Sequence, residues 1–127
     1  MTGLARVSKF AFTACVAIGL SCALAADETP IEGTYTQDQP CAGDGTDPDF
    51  LIVKITPKDI SYASGVCAID SRKREGNTVG VKVTCKFLSG SVMGSDISFT
   101  IRDGGQTLDM KQLDGTYQAV LHKCPAR

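Results

Sequence analysis

The segment with the richest chemistry is residues 41–50, whose sequence is CAGDGTDPDF. Its aspartates Asp44, Asp47 and Asp49 could give oxygen ligands to calcium, or two of them could form the acid pair of a glycosidase. A calcium loop of the EF-hand type needs a glutamate at its twelfth position, which is missing here, and Pro48 interrupts the pattern. A glycosidase pair needs carboxylates held rigidly on structured elements. We therefore interpret the segment as an acidic, solvated loop and predict no metal site and no cofactor, although its sequence does not decide whether a cation binds.

Nucleophilic catalysis has no credible set of residues in this sequence. His122 is the only histidine, and strand alternation predicts that it faces away from the core. A serine hydrolase needs a histidine beside its nucleophile and a third orienting group, and no G-x-S-x-G elbow is present. We therefore predict that the protein is not an enzyme and has no catalytic residue.

A second segment, residues 89–95 (SGSVMGS), combines glycine and serine with two apolar residues. A phosphate-binding loop would need a lysine after the glycines and a following helix, and both are missing. Two interpretations stay open: a plain connection between strands, or a recognition loop with an apolar tip, because seven residues exceed what a hairpin needs. The candidate partner-binding residues of the chain are thus Asp44, Asp47, Asp49, Ser89, Ser91, Val92 and Met93.

The elements that must position these residues begin after a predicted export signal. Arg6 and Lys9 precede a short apolar run, and residues 23–25 (ALA) fit the small-x-small rule of signal peptidase. The apolar run is shorter than the ~20 residues that span a bilayer. We predict a signal peptide over residues 1–25 and one domain over residues 26–127, periplasmic or secreted and without a transmembrane segment.

Four of the six cysteines follow the predicted signal: Cys41, Cys67, Cys85 and Cys124. In a small exported chain without a C-x-x-C pair, four cysteines favour two disulfides over a zinc site. The preferred pairing joins Cys41 to Cys67 and Cys85 to Cys124, because closing longer loops gives the larger entropic gain. The main alternative joins Cys67 to Cys85, which lie roughly opposite each other across a hairpin at residues 75–77.

Alternation of apolar and polar residues is the clearest structural signal, and it is strongest in residues 79–87 and 97–101. Glycine-containing turn signals separate the alternating runs at 75–77, 103–105 and 114–115. The predicted strands cover residues 32–37, 50–56, 59–70, 78–88, 95–102, 107–112 and 116–123. Two similar segments, GTY at 33–35 and at 115–117, favour pairing of the first and last strands, which would close a barrel.

One predicted strand needs an irregularity. Ile60 and Cys67 have opposite parity within residues 59–70, so a bulge near Ser64 and Gly65 would place both on the core side. The predicted fold class is all-β: a small antiparallel meander barrel or sandwich of about seven to eight strands with two disulfides.

The same residues carry a resemblance to known proteins. The GTY at residues 33–35 resembles the G-x-W opening of lipocalin-like and avidin-like barrels. The export signal, four spaced cysteines, early G-T-[WY] and terminal cysteine are similar to small periplasmic β-barrel proteins of Gram-negative bacteria. Within that group, the C-type lysozyme inhibitors have a serine-glycine loop that residues 89–91 (SGS) resemble. The resemblance covers the mature domain in architecture, and it implies a disulfide-stapled barrel.

The charge balance bears on partners. The chain has 14 acidic and 13 basic residues, with one basic cluster at 72–74, and this mild acidity argues against nucleic acid as a partner. The leading hypothesis is an exported, non-enzymatic binding module that uses loops 42–49 and 88–95 against a protein partner. Acidic loops suit a basic enzyme, such as a lysozyme-like cell-wall hydrolase. The alternatives are a carrier of a small apolar ligand inside the barrel and a structural envelope protein without a discrete site, and the oligomeric state stays open.

Overall fold

The computed structural model describes residues 29–125, and the predicted signal peptide over residues 1–25 lies outside them. The described part is an antiparallel meander of eight strands that closes into a barrel, which confirms the predicted all-β class. The strands are β1 Gly33–Gln37, β2 Ile52–Ile55, β3 Asp59–Tyr62, β4 Gly65–Glu75, β5 Thr78–Phe87, β6 Val92–Arg102, β7 Thr107–Gln112 and β8 Gln118–Lys123. Two short 3₁₀ turns at Asp49–Leu51 and Asp103–Gly105 complete the regular structure.

The barrel closes between its first and last strands, as the sequence predicts. Tyr35 of β1 lies opposite Lys123 of β8, and Gln37 lies opposite Leu121. Asp38 extends this ladder beyond β1, because its backbone N–H donates to the Val120 carbonyl and its carboxylate accepts from the Val120 N–H. Closure removes the two outermost strand edges, which an open sheet of this size would leave unpaired.

The interior is filled with side chains from the alternating positions of all eight strands. The largest fully buried side chains are those of Tyr35 and Phe99. A small barrel is closed to ligands at its centre when side chains occupy it in this way. The buried apolar residues are Ile31, Tyr35, Val53, Ile55, Ile60, Cys67, Val79, Val81, Val83, Cys85, Ile97, Phe99, Ile101, Leu108, Met110, Ala119 and Leu121.

The predicted strand at residues 59–70 is wrong in one respect: it is two strands, β3 and β4, joined by a turn at residues 63–64. The chain reverses there, so Ile60 and Cys67 face each other across the β3–β4 pair without the predicted bulge. A bulge does occur, but at Asp70, where the β4–β5 register shifts. Gly65 is required after the turn, because a Cβ on it would lie 2.4 Å from the Lys86 carbonyl oxygen.

The two ends of the barrel differ. We call the end at which β1 begins the closed end. The segment 29–32 crosses this end, and its Ile31 side chain is completely buried. The Tyr35 hydroxyl donates to the Ile31 carbonyl oxygen at 2.7 Å, and Arg72 forms an ion pair with Glu32 at 2.7 Å. Arg74 donates to the Thr29 carbonyl oxygen. The open end is the opposite end, where β1 finishes and where β4, β6 and β8 begin.

Both predicted disulfide pairings are wrong, and the alternative pairing is present. Cys41 is bonded to Cys124 and Cys67 to Cys85. Cys67 and Cys85 are direct partners in the β4–β5 register, so strand pairing alone brings their sulfurs together. Loop-closure entropy led to the wrong pairing because the length of each loop was considered separately, without the total for both bonds. The bond between Cys41 and Cys124 closes a separation of 83 residues, longer than either loop of the predicted pairing.

Candidate binding site at the open end of the barrel

A cavity of about 430 Å³ opens at the open end, and we call it the mouth cavity. Four aromatic side chains contribute to its lining, and the Cys67–Cys85 disulfide also lies against it. The 3₁₀ turn at Asp49–Leu51 presents Phe50 to the cavity, the ends of β3 and β5 present Tyr62 and Phe87, and Tyr117 stands immediately before β8. The lining residues are Gln37, Phe50, Tyr62, Ala63, Ser64, Cys67, Cys85, Phe87, Ile97, Gln112 and Tyr117.

No charged side chain occurs among these lining residues of the described chain. The polar groups present are amides and hydroxyls: the Tyr117 hydroxyl donates to the Gln37 side-chain oxygen, and the Tyr62 hydroxyl lies 3.6 Å from the Met110 sulfur. Burial raises the pKa of Tyr62 to about 12, with a smaller contribution from Tyr117. Burial, followed by the nearby Asp38 carboxylate, also raises the pKa of Tyr117. The cavity is therefore uncharged at physiological pH and suits an apolar, neutral group.

Exposed apolar side chains are concentrated toward the open end of the barrel, and two of them, Phe50 and Tyr117, line the mouth cavity. Within residues 29–125, every large apolar residue that is more than one-third exposed lies within two residues of a strand terminus at the open end. Leu88 is 84% exposed and Phe50 is 70% exposed. Exposed apolar side chains that are concentrated in one region commonly mark an interaction site. These residues, which we call the apolar rim, are Phe50, Val66, Leu88, Val92, Met93, Leu113 and Tyr117.

The acidic loop predicted as a contact site lies elsewhere. The bond between Cys41 and Cys124 holds it against the outer wall of the barrel, where Cys124 donates its backbone N–H to the Thr34 carbonyl oxygen near the start of β1. A surface cavity of about 540 Å³ lies between the loop and this wall, lined in part by Asp47 and Asp49. The loop therefore folds back from the open end toward the closed end, and the structure separates it from residues 88–95.

Two of the three candidate aspartates stabilise the loop itself. Asp47 accepts hydrogen bonds from the backbone N–H groups of Ala42 at 2.8 Å and Gly43 at 3.3 Å. Asp44 accepts from the backbone N–H and hydroxyl of Thr46 at 3.0 and 2.6 Å. These are the local hydrogen bonds that aspartate forms in tight turns.

Metal ligation at this loop has an unsuitable donor set. Within residues 29–125, the one grouping of potential ligand atoms comprises Cys41, Asp47 and Cys124. Both sulfurs belong to the disulfide, so neither is a thiolate that could bind a metal. Asp44 and Asp49 are not part of the grouping.

The second predicted contact segment is shorter than expected. The connection between β5 and β6 covers residues 88–91 only, because Val92 and Met93 already belong to β6. The Ser89 and Ser91 hydroxyl oxygens lie 2.8 Å apart, and Gly90 has a φ of 94° that favours glycine. The turn and the first residues of β6 stand beside the mouth cavity, so this half of the predicted contact surface does lie at the open end.

Sequence reasoning did not identify the aromatic lining of the cavity. Phe50, Tyr62, Phe87 and Tyr117 are far apart in the sequence, and each looks like an ordinary strand residue. The sequence signal that could have identified them is their position. Each of the four stands near the strand end that the meander brings to the open end of the barrel. His122, the single histidine, is half-buried on β8 opposite Thr36 and Thr107, outside the cavity lining.

Comparison of the chain with protein-family models, with curated proteins and with solved structures gives no match. Among residues 29–125, no helix is long and apolar enough to cross a bilayer.

Proposed function

We propose that the protein is an exported, non-enzymatic binding module that holds a protein partner at the open end of its barrel. The observation that carries the proposal is the coincidence of the apolar rim with an uncharged, aromatic-lined cavity. In protein interfaces, a few anchoring side chains fill such pockets while surrounding apolar contacts exclude water. The mouth cavity would receive one anchor, and the rim would supply the surrounding contacts.

The charge distribution indicates the kind of partner. Apart from the acidic loop 42–49, which folds back along the outer wall, the connections at the open end contain two aspartates, Asp38 and Asp114, and no lysine or arginine. The basic cluster at residues 72–74 lies on β4 toward the closed end. Complementary charge steers association and selects partners, so the open end suits a basic protein. A lysozyme-like hydrolase, the partner class expected from the sequence, has this property and is the first to assay.

A carrier of a small apolar ligand is the second candidate, favoured by the four aromatic residues in the lining. The barrel centre holds Tyr35 and Phe99, so a carrier would have to bind its ligand at the mouth. A cavity of 430 Å³ is large enough for a small molecule. The rim favours the protein partner, because a ligand confined to the cavity would leave Leu88 and Met93 with no function.

The test is a comparison of two triple variants as baits for a cell-envelope extract, each in its oxidised mature form. One variant changes the rim residues Phe50, Leu88 and Met93 to serine. The matched control changes three exposed closed-end residues, Lys58, Lys73 and Glu75, to serine. We expect the control to retain the partner that wild-type protein captures and the rim variant to lose it. Equal capture by both variants would refute binding at the open end.

A direct assay then tests the hydrolase version. Wild-type protein should inhibit at least one basic lysozyme, and the rim variant should not. Absence of inhibition across a panel of lysozymes would remove this partner class and leave the pull-down to identify another.

A further inference from the structure

The start of β6 has an unpaired edge beside the mouth cavity. From Val92 to Ser95, β6 pairs with β5 only, because the β7 register reaches no further than Ile97. β7 makes one last backbone contact, in which Leu113 donates to the Asp96 carbonyl oxygen, and the chain then turns away. No other strand of the described chain lies along residues 92–95. The position that a longer β7 would occupy is therefore vacant.

The direction of the backbone groups follows from strand alternation. Asp96 faces β7 through its carbonyl oxygen, so Gly94 and Val92, which have the same parity, also direct their N–H and C=O groups to the vacant side. Ser91 has the opposite parity and bonds toward β5, where its carbonyl oxygen accepts from Phe87. The edge thus presents two N–H donors and two C=O acceptors in the spacing of a β-ladder.

The same sheet has a second free edge, and it is protected. Residues 70–75 of β4 pair with β5 only, at the closed end. This stretch contains Arg72, Lys73 and Arg74, and charged residues on an edge are a common device against strand addition. The β6 edge has no such residue between Val92 and Ser95. Its glycine and its apolar residues leave it accessible to another strand.

We propose, building on binding at the open end, that the partner contributes an extended segment that adds to the β6 edge. Main-chain hydrogen bonds to Val92 and Gly94 would hold the segment, as in other cases of β-strand addition. Met93 has the inward parity of Ile97 and lies opposite Cys85, which lines the mouth cavity. Side chains of the added strand on this face therefore point toward the cavity, and alternate side chains point to solvent.

The mouth cavity and the acidic connections at the open end determine which residues the added segment should contain. The inward position takes an uncharged apolar side chain, because the cavity lining has no charge. Flanking positions take lysine or arginine, because the charged residues in the connections that stay at the open end, Asp38 and Asp114, are acidic. A second copy of this chain fits less well, since two open ends would bring like charges together.

The probe is an eight-residue peptide of alternating threonine and apolar residues, with a central phenylalanine and a lysine at each end. Its binding to the oxidised mature protein is measured by titration, and amide NMR shifts identify the residues involved. The protein variants are Gly94→Pro, which removes the edge N–H, and Gly94→Ala, which keeps it. An added Cβ at Gly94 would meet the Val83 carbonyl oxygen at 3.7 Å, an ordinary contact, so the alanine control should fold.

We expect wild type and Gly94→Ala to bind the peptide with shifts at Val92 and Gly94, and Gly94→Pro to bind about tenfold more weakly. A peptide N-methylated on the edge that faces β6 should lose binding to wild type, whereas methylation of its other edge should not. This second comparison does not depend on the proline variant folding.

Equal binding by Gly94→Pro and Gly94→Ala, together with indifference to N-methylation, would overturn strand addition while leaving binding at the open end intact. No binding of the peptide to wild type would also overturn it. Peptide-induced dimerisation or dimerisation without peptide, seen by light scattering, would show that a second copy occupies the edge and would equally refute the proposal. Failure of the proposed function would be seen separately: in the pull-down, the rim variant would capture as much partner as the control variant.

Discussion

The two ends of the barrel are made by the same eight strands but are completed in opposite ways. At the closed end, segment 29–32 buries Ile31, and its backbone and side chains bond to Tyr35, Arg72 and Arg74. At the open end no comparable segment of the described chain covers the strands, and Phe50 and Leu88 are largely exposed. Equivalent apolar positions thus stabilise the fold at one end and face solvent at the other.

The difference shows that a barrel of this size can concentrate stabilising contacts at one end and leave apolar side chains exposed at the other. Full burial of a large apolar side chain contributes roughly 1.5–3 kcal/mol, and a small domain has little stability to spare. Leaving an apolar rim exposed is unfavourable for solubility unless a partner covers it. The closed end and the two disulfides supply stability that lets the open end remain uncovered.

The largest expected effect comes from the disulfides, one toward each end. Replacing Cys41 and Cys124 by alanine should cost about 4.5 kcal/mol of unfolding free energy, because that bond closes the long loop of 83 residues. Replacing Cys67 and Cys85 should cost about 3 kcal/mol, because the separation is 18 residues within a hairpin. Denaturant unfolding of the two double variants measures both values. A larger loss from the second pair would contradict this order.

The next prediction compares the same kind of deletion at the two ends. Ile31→Ala should lower the unfolding free energy by about 3 kcal/mol, because it removes a fully buried side chain and opens a cavity. Leu88→Ala should change it by less than about 0.5 kcal/mol, since the side chain is already in water. Denaturant unfolding checks both. Similar losses at the two sites would mean that the open end is as well packed as the closed end.

The sequence predicted the barrel because its strands are amphipathic and its turns are short. Each of the seven predicted strands overlaps an observed strand, with the third overlapping both β3 and β4, and the pairing of the chain ends is confirmed by the β1–β8 register. The β3–β4 turn was missed because its residues, Ala63 and Ser64, lack the Asn-Gly or Asp-Gly signature of a two-residue turn. A turn and a bulge both change parity, so alternation alone could not distinguish them.

The candidate site was only partly predictable. Val92 and Met93 stand beside the mouth cavity, as expected of an exposed apolar segment, although they belong to a strand rather than a loop. Asp44 and Asp47 were predicted as partner contacts because they lie close together in the sequence. In the structure their carboxylates accept hydrogen bonds from backbone groups of their own loop, which lies on the outer wall. Composition identifies an acidic loop, whereas its direction depends on the bond between Cys41 and Cys124. That bond brings together residues far apart in the chain.

High pH should lower the unfolding free energy through two tyrosines, Tyr35 toward the closed end and Tyr62 at the open end. Burial raises the pKa of Tyr35 and of Tyr62 to about 12, so their neutral forms stabilise the fold below pH 10. This stability is lost as pH rises from about 10 to about 12, by about 1 kcal/mol for each tyrosine at pH 11. Unfolding free energies measured from pH 8 to 11.5 should show the decline.

Phenylalanine variants separate the two contributions. Tyr35→Phe should reduce the decline and also cost about 1 kcal/mol at neutral pH, because the Ile31 carbonyl oxygen loses its donor. Tyr62→Phe should reduce the decline at almost no neutral cost, since the hydrogen bond from its hydroxyl to the Met110 sulfur, at 3.6 Å, is weak. A pH dependence unchanged in both variants would show that neither tyrosine is responsible.

The smallest effect should come from the ion pair that ties the closing segment to β4. Burial alone would raise the pKa of Glu32, but hydrogen bonding and charge from Arg72 outweigh it and lower the pKa below its ordinary value. Both side chains are about one-third exposed, so solvent screens the pair, and a double-mutant cycle with Glu32→Gln and Arg72→Gln should give a coupling of about 0.5 kcal/mol. Because the folded pKa is lowered, this coupling should persist above the ordinary pKa of 4.5 and vanish as pH falls through the lowered value. A coupling much larger than this would mean that the ion pair is the main interaction that holds segment 29–32 on the barrel. A small coupling would mean that burial of Ile31 is the main one.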